Sequence, residues 1–295
     1  MRYFIENDDL KVEIDSFGAE VKSVLNKHTY REYMWYGNKK YWGRTSPVLF
    51  PFVGSLVDKR FIWQGYEYPM GQHGFARDNE FKKISQTEDE IWFSLQSDLK
   101  TLSVYPFPFD LRIGYKLEEG SKHLKVFWEV FNPGDQTMYF SIGAHPAFLV
   151  PTTGEDGSME GNYLEFEGVE EIHYHGNDRK TGLSLEEDLI LKLEDGRVKI
   201  SKDFFDRSTY MVEGKQTGSV SILDAKGQAF VKVSFDAPLF AIWSPEEKNA
   251  PFLCIEPWYG RCDSVGFEGE LQERPFTNVL KARETFLAGY EIEFM

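Results

Sequence analysis

The sequence predicts an all-β protein, one large antiparallel β-sandwich spanning residues 1–295. Three observations carry that prediction. Apolar and polar residues alternate with period two along most of the chain, turn-forming clusters separate the alternating runs, and helical periodicity is scarce.

The clearest run is HLKVFWEVF, which puts Leu124, Val126, Trp128 and Val130 on one face and Lys125 and Glu129 on the other. EIWFSLQ sets Ile91, Phe93 and Leu95 against Trp92 and Ser94. FVKVSF sets Val231, Val233 and Phe235 against Lys232 and Ser234, and YEIEFM sets Tyr290, Ile292 and Phe294 against Glu291 and Glu293. LKVEID near the start follows the same rule. Between such runs lie NPGD, LEEG and LEDG, residue types that favour turns. SLEED is expected to open a short turn or helix. Short strands without intervening helices exclude a parallel α/β sheet and leave a sandwich or barrel. No compositional break marks a boundary, so a single domain is expected.

The 295 residues suffice for a large core, and 41% apolar with 16% aromatic residues is a globular composition. A formal net charge of −15 argues against nucleic acid and against an anionic membrane as partners, because both need clustered cations. The opening MRYFIENDDL has neither the apolar stretch nor the small-residue site of a secretory signal, and no apolar run approaches a membrane span. Cys254 and Cys262 form no CxxC. Reduced thiols in a cytoplasmic protein are expected.

Ionisable groups inside apolar, turn-rich stretches are the candidates for chemistry, since burying a polar group without a partner costs free energy. In GRTSPVLFPFVGSL, Arg44 either closes a loop onto a carbonyl or presents a guanidinium fork to ligand oxygens. In GQHGFARD, glycines flank His73. An extended backbone would align His73, Phe75 and Arg77 on one face. In SIGAHPAFLV, His145 falls at the end of a strand expected over 136–144 and is followed by Pro146. It is a core histidine, a metal ligand or a proton donor at a pocket. In FLCIEPWYG, Glu256 follows four residues of buried type, either paired with a core arginine or acting as a base with a tuned pKa, and Trp258 is a natural platform for a sugar's apolar face. Asp206 in DFFDRSTYMVEG is a second candidate carboxylate or a turn aspartate paired with Arg207. A competing metal reading starts from IHYH. Its His173 and His175 share a strand face and, joined by His145 and Glu256, would make a cupin-like site.

Taken in order, SPVLFPFVG, HGFARD, GAHPAF and CIEPW resemble the galactose mutarotase-like proteins, the aldose 1-epimerases, and in particular the LacX-like branch. The resemblance spans nearly the whole chain. It implies the large antiparallel "supersandwich" with a sugar in an open cleft, and neither cofactor nor metal. By resemblance Glu256 is the general base, His145 the general acid and His73 a second pocket histidine, with Arg44 and Asp206 as sugar-hydroxyl contacts. Two alternatives stand beside an aldose 1-epimerase: a hexose-6-phosphate 1-epimerase, in which Arg44 and Arg77 would hold the phosphate, and a non-catalytic sugar-binding protein on the same fold. The chemistry suits these residue types. From opposite sides of the sugar, a base takes the C1 hydroxyl proton and an acid protonates the ring oxygen, and the open aldose rotates and recloses. Two departures bear on sugar preference. Ala147 stands where the mutarotases commonly carry Tyr after His-Pro, and GRTS carries one Arg where the galactose-active branch often has an Asn-Arg pair.

Overall fold

The structure is a computed structural model that describes residues 1–152, 157–206 and 208–295. Two antiparallel sheets dominate it. The nine-stranded sheet runs Arg197–Lys199, Tyr163–Phe166, Ser219–Leu223, Ala229–Phe235, Thr285–Phe294, His123–Phe131, Asp110–Leu117, Glu90–Gln96, Lys82–Gln86. The eight-stranded sheet runs Ser184–Lys192, Glu171–Asn177, Tyr210–Glu213, Leu239–Trp243, Phe252–Tyr259, Ile142–Ala144, Val48–Leu49, with Ala147–Leu149 also paired to Phe252–Tyr259. A three-stranded sheet of Arg2–Glu6, Leu10–Asp15 and Glu20–Asn26 and two small two-stranded ribbons complete it.

The alternating runs form the strands that their pattern demands. His123–Phe131 is buried at every second residue, and its apolar face enters the core. The C-terminal strand Thr285–Phe294 lies between His123–Phe131 and Ala229–Phe235, so Tyr290, Ile292 and Phe294 also point inward. The two large sheets meet face to face through aromatic contacts such as Phe235 with Phe240 at 5.1 Å and Tyr259 with Phe286 at 5.4 Å between ring centroids. One contiguous apolar cluster takes side chains from both.

Two local expectations change. SLEED is not a helix start: Ser184–Lys192 is a strand at the sheet edge, paired to Glu171–Asn177. Its acidic residues face solvent, and cross-strand pairing overrides their local preference for a turn. The 136–144 stretch is two short strands, Met138–Phe140 and Ile142–Ala144, which pair with different neighbours on either side of Ser141. Leu99–Val104 is the α-helix found among the described residues, capped by Asp98 and Thr101. No helix among them is long and apolar enough to cross a membrane.

Candidate active site

Phe252–Tyr259 is the strand on which the site is built. Leu253 and Ile255 point into the core between the sheets, while Cys254, Glu256 and Trp258 point to the opposite face. That face is covered as well, so Glu256 is only 1% exposed. Two short segments flank the strand on one side. Ile142–Ala144 pairs Gly143 with Trp258, and Ala147–Leu149 pairs Ala147 with Cys254. Both segments keep the same register, so the intervening His145 falls opposite Glu256. Pro146 has no N–H to continue the ladder, and the backbone kinks there, with His145 N–H donating to Pro47 O instead. The result brings His145 Nε2 to 3.4 Å from Glu256 Oε2.

Burial sets the electrostatics of this pair. His145 is pulled down to about 3, first by burial and then by the positive charge of Arg77, with Arg44 adding to it. Burial pushes Glu256 well above the carboxylate range, and the Trp258 indole acts in the opposite sense. Neither His145 Nδ1 nor Glu256 Oε2 has a hydrogen-bond partner within the protein, although both are buried. Such atoms cost free energy unless a ligand or water satisfies them. Aromatic rings fix the imidazole: Trp42 stacks on it at 4.6 Å and Trp243 meets it edge-on at 5.3 Å.

His73 approaches the same point from another loop. It has a φ of 63°, an uncommon conformation for a non-glycine residue. The loop holds it there by two bonds to Gly54: His73 N–H donates to Gly54 O, and Gly54 N–H donates to His73 Nδ1. With Nδ1 accepting, the neutral ring carries its proton on Nε2. Burial, then Arg77, His145 and Arg44, keeps its pKa well below the usual histidine value, so it is a fixed neutral donor. Gly74 makes the loop possible. Its φ is 67°, and a Cβ there would lie 2.3 Å from Phe50 O.

His73, Arg77, His145, Glu256 and Trp258 line one cleft of about 330 Å³, a volume suited to a small ligand. The segment around His73 is not extended, as alternation suggested. A turn sends Phe75 into the core, against Phe50 and Phe109, while His73 and Arg77 reach the cleft. Arg77 donates to Gln72 O, and its buried Nε, 3.8 Å from Asp78, has no hydrogen bond. Its pKa is drawn down to about 10 by burial and by Arg44. Arg44 does not line the cleft; its guanidinium pairs with Asp78 at 2.8 Å. Asp206 is elsewhere. It accepts from the Glu247 N–H, in a turn anchored by buried Phe204 and Phe205, and lines a separate small cavity. Arg207, its expected partner, lies outside the described residues. Trp258 lines the cleft and is 4% exposed.

His173 and His175 do not join the site. His173 binds Asp188 and Glu171 on the strand next to the sheet edge, and His175 Nδ1 donates to Glu187 O. A larger cleft of about 570 Å³ is walled by Glu165, Glu167, Glu170 and Asp195. It gathers no buried titratable pair, whereas the smaller cleft does, which makes the smaller cleft the candidate site. Sequence reasoning missed Trp42, Trp243, Asn177 and Cys262 in that cleft. Trp42 had a signal, an aromatic two residues before Arg44. The other three come from strands or loops whose meeting is a tertiary fact.

A protein-family model described as aldose 1-epimerase matches residues 1–291. This chain belongs to the aldose 1-epimerase family. Within it the chain falls in the LacX-like branch: it is 29% identical to the plasmid LacX protein of Lactococcus lactis subsp. lactis, over 99% of this chain and 98% of the relative. A solved structure of a galactose mutarotase related enzyme from Lactobacillus acidophilus superposes with a TM-score of 0.93 at 34% identity, covering 100% of this chain and 97% of that one. A galactose mutarotase-like protein from Lactobacillus casei superposes at 0.91 with 28% identity and full coverage of both chains. The two large sheets are thus the family's antiparallel sandwich, and family membership implies an isomerase acting on a sugar.

Proposed function

We propose that the protein is a cofactor-independent aldose 1-epimerase, a mutarotase that interconverts the α and β anomers of a free hexose or related aldose. The observation that carries this reading is the buried His145–Glu256 pair, 3.4 Å apart at the cleft. The C1 hydroxyl and the ring oxygen of a cyclic aldose are bonded to the same carbon. Two adjacent proton-transfer groups can therefore address both from one side, rather than from opposite sides of the ring. One group takes the hydroxyl proton while the other delivers a proton to the ring oxygen, and the C1–O bond to the ring breaks. Rotation about C1–C2 exposes the other carbonyl face, and reclosure with roles reversed restores the pair. No electrons leave the sugar and no nucleophile is needed.

Burial opposes charge on both members of the pair, holding the imidazole low and the carboxyl high. Entering hydroxyls supply the hydrogen bonds that Glu256 Oε2 lacks, which favours the carboxylate–imidazolium arrangement needed for base and acid. Neutral His73 and the unpartnered Arg77 Nε are donors to sugar oxygens. Asp78 engages Arg44 and stands beside Arg77, so the two guanidiniums are not a free phosphate fork. This favours a free sugar over a sugar phosphate.

The test is polarimetry on freshly dissolved α-glucose, α-galactose and glucose 6-phosphate with wild type, Glu256→Gln and His145→Ala. Acceleration by the wild type that falls by about 10²–10⁴ in both folded variants is expected. Absence of acceleration on any aldose by folded protein would reject the proposal, and preference for the phosphate ester would redirect it to hexose 6-phosphates.

A further inference from the structure

We propose that His145, Cys254 and Glu256 form a binding site for a borderline-soft divalent cation of the zinc type, one that takes the catalytic pair out of use. An imidazole nitrogen, a thiol sulfur and a carboxylate oxygen from these residues all lie within 4.8 Å of one another. These are the three donor types that zinc favours. The 3.4 Å between His145 Nε2 and Glu256 Oε2 is the spacing of two ligands on one tetrahedral ion with bonds of about 2.0–2.2 Å. Cys254 and Glu256 are two apart on one strand and so share a face, and His145 stands opposite Glu256 in the register described above.

An independent observation points to a ligand: Glu256 Oε2 is buried without a hydrogen bond and faces this cluster. Charge also balances. Zinc with one thiolate, one carboxylate and one neutral imidazole is a neutral complex, which a dry site tolerates far better than a net charge. The thiol proton, and the carboxyl proton where present, leave to solvent as the metal binds. His145 and Glu256 line the cleft, which provides access and leaves the fourth position for water. The other His/Glu group, Glu118 with His123 and Glu291, is half-exposed and already tied to Lys125, so it serves as a surface control.

Ion binding is independent of the mutarotase reading; only the inhibition rests on it. The test uses the full chain with Zn2+ in equilibrium dialysis and with Cd2+, whose bond to a thiolate gives an ultraviolet charge-transfer band. One ion per chain and a cadmium–thiolate band are expected in the wild type. Cys254→Ala and the size-preserving Cys254→Ser should lose the band and weaken zinc by at least about tenfold, while Cys262→Ala keeps the band. Near-ultraviolet circular dichroism identifies which Cys254 variant is folded, and the result is taken from that one. Absence of stoichiometric binding, a band that survives in the folded Cys254 variant, or a band lost in Cys262→Ala overturns the proposal. In mutarotation assays zinc should slow the wild type reversibly and the Cys254 variant at least about tenfold less sensitively. Enzyme inactive without zinc would count against the proposed function and leave the binding readout intact.

Discussion

At the scale of single residues the site is defined by what burial does to two opposite ionisable groups. His145 is lowered from 6.5 to about 3. Between those values the unfolded chain binds a proton that the folded one refuses, so this residue makes stability fall as the solution becomes acidic. Glu256 is raised above 4.5, so over the range above that value the folded state keeps a proton that the unfolded state has lost, and stability falls as pH rises. Glu256→Gln removes only the second effect. Its stability relative to wild type should therefore increase from about pH 5 to about pH 8, as measured by urea midpoints at the two values. A constant difference would mean that Glu256 is ionised in the folded cleft. The legibility of residues was uneven. Glu256 and His145 stood out because charged or titratable types sat in apolar runs. Asp206 looked similar, yet it serves a turn, because a carboxylate beside two phenylalanines carries no information about which cavity it meets.

At the scale of elements, the His73 loop shows how much of the site depends on backbone shape. Gly74 lies against the Phe50 carbonyl, which accepts from the N–H groups of Phe75 and Ala76. Gly74→Ala puts a Cβ into that oxygen at a positive φ. The expected cost is more than about 1 kcal/mol, and mutarotation should fall with it because His73 loses its seat on Gly54. Thermal unfolding and polarimetry on the same preparation check this; an unaffected rate would separate His73 from the reaction. The glycines were legible as turn formers, but not the direction of the turn. Period two aligned His73 with Phe75 and Arg77, whereas hydrophobic burial of Phe75 turned it toward Phe109 and left the two polar residues facing the cleft. SLEED failed for a related reason: a polar edge strand has no local pattern to distinguish it from a turn, and its neighbour decides.

At the scale of the whole molecule, the C-terminal strand pairs between segments from the middle of the chain, and one apolar cluster draws on both large sheets. We propose that residues 1–295 act as one domain. Urea unfolding followed by far-ultraviolet circular dichroism and by tryptophan fluorescence should then give coincident single transitions. Two separated transitions would divide the chain.

The sequence by itself determined the class of fold, the inward faces of its strands, the motifs that mark the family and the choice of His145 and Glu256 as the central candidate residues. All of these are written in local alternation or in short ordered stretches. Only the tertiary structure decided that His145 stands across from Glu256 on the same side, that Trp42 and Trp243 hold the imidazole, that Asp78 occupies Arg44, and that Asp206 and the His173–His175 strand lie elsewhere. Alternation is a property of one strand. Register between strands distant in the chain is set by the simultaneous burial of many faces, and no single stretch contains that information.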